Sequence, residues 1–206
     1  MKTRNITFLI ITILLIACNT NHEKAKLHFI KANQFYKTED YANASLEIKK
    51  SINIDSSNYD YLIFLAKTKR KLKKNDEAIN ILKNVLENNY KKDTTSYEIA
   101  TSYFAKSGNL GNIGASIEQK NKTLKEAIKF YDKALQENIK YYDAHIEKYK
   151  VLHNLVRYEE ALVTINQAYS IFPDSINLVL YRGIAKGTLG DTKEEMNDLN
   201  KVIKSR

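Results

Sequence analysis

The sequence predicts an all-α protein, a row of helical hairpins repeated along almost the whole chain, and three observations predict it. The first is composition: 206 residues with one Pro, six Gly and no Trp, so few residues interrupt a helix. The second is periodicity. Leu62, Leu65, Ala66 and Lys69 recur at the spacing of one helix face, and Ala127, Ile128, Tyr131, Ala134 and Leu135 form a second stripe of the same kind. The third is self-similarity. Ala44 and Ala78 lie 34 residues apart in matching contexts, as do Ala127 and Ala161, and Glu195 lies 34 beyond Ala161.

The recurring contexts are Asp40-Tyr41-Ala42-Asn43-Ala44, Asn75-Asp76-Glu77-Ala78-Ile79, Leu124-Lys125-Glu126-Ala127-Ile128 and Arg157-Tyr158-Glu159-Glu160-Ala161-Leu162. Period and pattern resemble the tetratricopeptide repeat (TPR), which places small residues at positions 8, 20 and 27 of each unit. In that register the units are 25–58, 59–92, 93–141, 142–175 and 176–206. Position 8 is Ala32, Ala66, Ala100, Tyr149 and Gly183; position 20 is Ala44, Ala78, Ala127, Ala161 and Glu195; position 27 is Ser51, Val85, Ala134, Ala168 and Val202. Pro173 stands at position 32 of the fourth unit. Small residues let the two helices of a hairpin approach closely, and large ones fill the space between hairpins. The resemblance implies about ten helices in five hairpins, wound as a right-handed α-solenoid.

Departures from the pattern mark places to inspect. Lys31 and Lys148 at position 7, and Lys69 and Lys186 at position 11, are charged where apolar residues are usual. Tyr149 is bulky at position 8, and Glu195 at position 20 predicts a loosely packed last hairpin. Ala78 and Ala127 are 49 residues apart, one repeat plus 15. The first helix of the third unit reads as Thr94 to Lys106, which puts the surplus at 107–122, a stretch holding Gly108, Gly111 and Gly114. Glycine there predicts loosened backbone between helices.

The first residues form a separate signal. Lys2 and Arg4 precede an apolar run from Ile6 to Ile16, shorter than the ~20 residues of a spanning helix. Leu15-Ile16-Ala17-Cys18 then resembles the lipobox of bacterial lipoproteins, which implies a signal peptide over 1–17, acylation of Cys18 and a tether over 18–24. Asn19 after the cysteine implies an outer-membrane location facing the periplasm. Cys18 is the only cysteine, so neither a disulfide framework nor a Cys-based metal site is open to this chain. The net charge of +9 falls to +7 once Lys2 and Arg4 are removed, and suits acidic partners or anionic headgroups.

No pattern for chemistry is present. The three glycines at 108–114 are followed by no Gly-Lys-Ser/Thr and preceded by no strand, so they form no phosphate loop. His22, His28, His145 and His153 make no His-x-x-x-His pair. Glu159-Glu160 and Glu194-Glu195 begin helices, where carboxylates complement the macrodipole, and adjacency does not set them across a pocket. Neither an enzyme nor a cofactor or metal site is expected.

Binding is the expectation instead. In TPR proteins positions 2, 5, 9, 12 and 13 of the first helix line a groove. Here those positions include Phe29, Asn33, Tyr36 and Lys37 in the first unit. They include Lys67, Arg70 and Lys71 in the second unit, and Tyr97, Thr101 and Phe104 in the third. In the fourth they include Ile146, Lys150 and His153. Aromatic rings beside Lys and Arg suit a peptide of acidic character. The family's carboxylate clamp is not matched, because Phe29 stands where a clamp lysine would be and Asp143 and Glu147 put acid in the fourth unit. The expected function is a lipid-anchored interaction scaffold in the cell envelope, as in assembly or pilot subunits of outer-membrane or secretion machines. The alternatives are self-assembly through Met196, Leu199 and Ile203 of the last hairpin, or binding of anionic glycans or lipid headgroups by the basic run.

Overall fold

A computed structural model describes residues 21–204. The lipobox-like segment and Cys18 lie outside the described residues. Ten helices follow one another among those described, with no strand: α1 (21–37), α2 (Tyr41–Ile54), α3 (Tyr59–Lys71), α4 (Asn75–Glu87), α5 (Lys92–Asn112), α6 (Ile117–Glu137), α7 (Tyr142–Asn154), α8 (Tyr158–Ile171), α9 (Ile176–Thr188) and α10 (Thr192–Lys204). Residues 21–24, expected in a tether, already belong to α1. Their side chains are exposed, but Ala25 immediately after is fully buried and draws the helix onto the core.

The chain divides into two compact units, one ending at Val85 and one beginning at Leu86. In the first, Ala25, Ala32, Ile48, Tyr61, Phe64 and Leu65 form a core, with Phe29, Tyr36, Ile52 and Ile81 packed against it. In the second, the repeat alanines Ala100, Ala127, Ala134 and Ala168 are fully buried, as are Ala144, Ile99, Leu124, Tyr131, Val151 and Ile165. Four second helices carry their position-20 alanine inside: Ala44, Ala78, Ala127 and Ala161 expose 1% or less. Ser51, the polar residue at position 27, is buried because its hydroxyl donates to the Ala25 carbonyl at 2.9 Å.

Every hairpin turns the same way. At Glu39, Lys73, Gly114, Val156 and Gly190 the backbone enters the left-handed region, with φ between 60° and 87°. Each is followed by an amide that reaches back five residues: Asp40 to Phe35, Lys74 to Lys69, Ala115 to Leu110, Arg157 to Leu152 and Asp191 to Lys186, at 2.9–3.0 Å. This is the Schellman closure of a helix end. Only two of the five positions are glycine, and Val156 adopts the conformation although its branched side chain disfavours it.

These turns locate the fifteen surplus residues. Glu39 to Lys73 and Val156 to Gly190 each span 34 residues, whereas Lys73 to Gly114 spans 41 and Gly114 to Val156 spans 42. The surplus therefore sits half before and half after one ordinary turn. It is not a loosened stretch: Ser107 and Leu110 are buried in α5, Thr123 and Leu124 in α6, and only 113–116 link the helices. Ser116 caps α6, its hydroxyl accepting from the Gln119 amide at 3.1 Å. At 21 residues each, α5 and α6 are about 31 Å long, against about 20 Å for a 13-residue helix.

The last hairpin also differs from expectation. Glu195 occupies the small position, but small residues stand opposite it on α9. A side chain on Gly187 would overlap the Glu195 carboxyl group, and one on Gly183 would lie 3.3 Å from Asp198 Cβ. The helices thus approach closely, and Asp198 is 1% exposed. Its carboxylate takes two bonds from Arg182 (2.6 and 2.8 Å) and one from Lys186 (3.0 Å), while the Arg182 guanidinium lies 3.9 Å over the Tyr169 ring. Lys69 and Lys186, charged at an apolar position, are explained by hairpin partners eight residues on: Lys69 meets Glu77 at 2.5 Å and Lys186 meets Glu194 at 3.3 Å. Lys148 meets Asp132 at 2.6 Å.

Candidate functional site

In the first unit, the first-helix residues divide between packing and surface. Phe29 and Tyr36 are half-buried, each with its ring centroid 5.3 Å from that of Phe64, and Phe29 also meets Tyr61 at 5.1 Å. Their rings join α1 to α3. Asn33, Lys67 and Arg70 are half-buried, and Lys71 is exposed with its ammonium 5.8 Å from the Tyr41 ring. The basic run is therefore not one patch, since Lys69 in its middle is buried in the hairpin with Glu77.

In the second unit, the first helices meet ring to ring. Tyr97 of α5 stacks on Tyr141, the residue before α7, at 4.8 Å and 29°, and Tyr149 of α7 meets Tyr181 of α9 at 5.2 Å. Thr101 is tied down by two contacts. Its hydroxyl donates to the Tyr97 carbonyl at 2.9 Å and lies 3.2 Å from the hydroxyl of buried Tyr131. Phe104 is half-buried one turn further along. Lys150 holds Glu147 at 2.7 Å with its ammonium 6.0 Å from the Tyr181 ring, and His153 lies against Tyr149 and Tyr158.

These contacts leave a shallow pocket of about 170 Å³, lined by Tyr149, Lys150, His153, Asn154, Tyr181 and Ile184. The repeat positions of Lys150 and His153 predict them on this face. Those of Tyr149 and Tyr181 do not single them out, and Ile184 is not among the expected groove residues, although two signals point their way. Tyr149 departs from the small residue expected at position 8, and Ile184 holds the groove position 9 of the fifth unit.

The electrostatics follow from burial and neighbours. Burial, then the carboxylates of Asp143, Glu147 and Glu98, pushes the Tyr97 hydroxyl up to about 12. Tyr141 is raised for the same first reason. Burial, with Tyr181 beside it, pushes Tyr149 up to about 12. These hydroxyls stay neutral and able to donate across the physiological range. Burial works against the Lys150 charge, but the Glu147 bond and nearby negative groups outweigh it and raise its pKa. The face therefore offers rings, neutral hydroxyls and a firmly charged lysine beside carboxylates.

His145 is fully buried outside this face. Its Nε2 lies 2.8 Å from the Ile139 carbonyl, and burial holds its pKa below the ordinary imidazole range. Among the described residues no three His, Cys, Asp or Glu side chains are grouped to hold a metal, and no helix is long and apolar enough to cross a membrane.

Solved structures share this architecture. The chain is similar to TTC0263, a TPR protein of Thermus thermophilus, with a TM-score of 0.68 at 17% identity over 87% of this chain and 90% of that one. It is similar to a tetratricopeptide repeat protein from Parabacteroides merdae, with a TM-score of 0.67 at 19% identity over 89% and 67% of the two chains. YrrB, described as a TPR protein with an unusual peptide-binding site, matches with a TM-score of 0.60 at 17% identity over 92% and 90%. No family profile and no curated protein matches the sequence. At these identities the likeness carries the fold alone, and that fold is the tetratricopeptide-repeat array of helical hairpins.

Proposed function

We propose that this chain is a protein-interaction scaffold that holds a segment of a partner along the first-helix face of its second unit. An apolar side chain of the partner seats between Tyr149, Tyr181 and Ile184. The observation that carries the reading is the pocket itself: rings from two successive first helices, with Lys150, His153 and Asn154 at its edge. Aromatic walls supply contact area at low entropic cost, and convergent polar groups fix orientation. Asp143 and Glu147 bear on Tyr97, so the part of the partner that crosses α5 is neutral or basic. An acidic partner is favoured only by the lysines and arginine of the first unit. YrrB, with its peptide-binding site, supports the mode of binding and not the residues.

The reading includes an envelope location. The lipobox-like Leu15-Ile16-Ala17-Cys18 supports acylation at Cys18, and Asn19 supports an outer-membrane position facing the periplasm. A scaffold so anchored serves as an assembly or pilot subunit of an outer-membrane or secretion machine. Metabolic labelling with a fatty acid tests the anchor: label is expected on the native chain, and label that persists in Cys18→Ser removes it. For the face, a photo-crosslinking residue at Ile184 is expected to capture the partner, whereas one at Val163 on exposed α8 is not. Tyr181→Ala should lower capture about tenfold. Equal capture from both positions overturns the proposal.

A further inference from the structure

The long α5–α6 hairpin ends in an apex that the peptide-binding reading does not use. Ile113 closes α5 and Ile117 opens α6, and they expose 77% and 79% of their surfaces. No other large hydrophobic residue among those described is so exposed. A single tight turn carries both. Gly114, at φ 71°, supplies the left-handed residue, and Ala115 bonds back to Leu110 at 3.0 Å. The glycines face open space: a side chain added at Gly108, Gly111 or Gly114 would meet nothing within 4 Å. Leu110 of α5 and Thr123 and Leu124 of α6 are buried.

The chemistry of the apex is one-sided. Residues 106–125 hold Lys106, Lys120, Lys122 and Lys125 against one carboxylate, Glu118. From 107 to 122 there is no Tyr, Trp, Phe or Arg, the side chains that anchor protein interfaces. Branched aliphatic tips flanked by lysines suit the boundary between headgroups and acyl chains, where apolar insertion and attraction to anionic lipid add.

We infer that the α5–α6 apex is a membrane-contacting element, inserting Ile113 and Ile117 into the surface of an anionic bilayer with the flanking lysines at the headgroups. The two glycines of α5 fit this use, since the last turns before the apex then present backbone and no bulk to the surface. The element is a second membrane contact besides the proposed acylation and depends on neither Cys18 nor the peptide face. A single weak signal gives marginal binding, and a second makes it firm.

The test uses the full chain carrying Cys18→Ser, with one new cysteine bearing an environment-sensitive fluorophore. The label sits at Asn112→Cys at the apex or, for reference, at Val163→Cys on α8. Vesicles of phosphatidylglycerol or phosphatidylcholine carry a quencher on the acyl chains. Quenching of the apex label several-fold above that of the reference is expected with phosphatidylglycerol, falling in high salt. Adding Ile113→Ser and Ile117→Ser should reduce it about tenfold while circular dichroism stays unchanged. The inference is overturned if apex and reference labels are quenched alike, or if the serine pair leaves quenching intact. Equal quenching with phosphatidylcholine overturns the anionic assignment, and protection of the apex label that requires membrane protein assigns the apex to a protein socket. Capture at Ile184 is unaffected by any of these outcomes, so the two readings fail separately.

Discussion

Hairpins α7–α8 and α9–α10 belong to the same unit and solve one packing problem in opposite ways. In α7–α8 the bulk stands on the first helix, as Tyr149, and the second helix supplies Ala161. In α9–α10 the bulk stands on the second helix, as Glu195, and Gly183 and Gly187 give way on the first. The two arrangements have different consequences. Tyr149 turns its ring to Tyr181 and lines an open pocket with it. Glu195 lies beside the buried Arg182–Asp198–Lys186 cluster, which holds the hairpin shut by charge. A repeat position constrains the summed size of facing residues more than either residue, and the side that carries the bulk decides whether the hairpin opens a pocket or is braced by charge.

The largest break in this comparison comes from the charged side. Asp198→Ala leaves Arg182, its side chain 12% exposed, without the carboxylate it holds, and leaves Lys186, 16% exposed, with Glu194 as its remaining partner. A loss of about 3 kcal/mol is expected in urea unfolding. Next comes the size rule. Gly187→Leu should cost about 2 kcal/mol by forcing α9 from α10, and adding Glu195→Ala should restore most of it. If the second change adds to the damage, complementarity between the two positions is refuted.

The smallest effect is in pH, and it separates the hairpins. Burial keeps the folded His145 pKa low, so the unfolded chain takes up that proton first. Stability from neutral His145 is whole above the ordinary value of 6.5 and is lost as pH falls from there toward its lowered folded value. Asp198 runs the other way. Burial, its strongest influence, pushes its pKa up, but the bonds from Arg182 and Lys186 outweigh that and hold it below 3.8. Its stabilisation is present above 3.8 and is lost only as pH falls below it. Between about pH 7.5 and 5.5 the native chain should therefore lose stability through α7 and not through α10. His145→Gln, whose carboxamide can still donate to the Ile139 carbonyl, should flatten that slope.

Much of this was legible because size and spacing are local properties of a chain. Alanines 34 residues apart announce close helix contacts wherever the helices end up, and they brought out the hairpins. The five turns were less legible: Glu39, Lys73 and Val156 take a conformation that their side chains do not advertise, imposed by the closing bonds around them. The glycines at 108–114 suggested loosened backbone, yet Ser107, Leu110 and Leu124 bury enough surface to keep both helices going. On the candidate face, repeat positions pointed to first helices but not to the use of each ring. Phe29 and Tyr36 are taken up by packing against Phe64, whereas Tyr149 and Tyr181 leave a pocket.

The sequence by itself determined the helical class, the 34-residue period and the places where the period fails, since each depends on residue size at fixed separations. Only the tertiary structure decided what each failure became. Fifteen extra residues became two helix extensions with an isoleucine apex, a glutamate in a small position became a hairpin eased by glycines, and two lysines at an apolar position, Lys69 and Lys186, became partners of carboxylates eight residues on. Burial and charge pairing are settled between residues distant in the chain, and only packing brings those residues together.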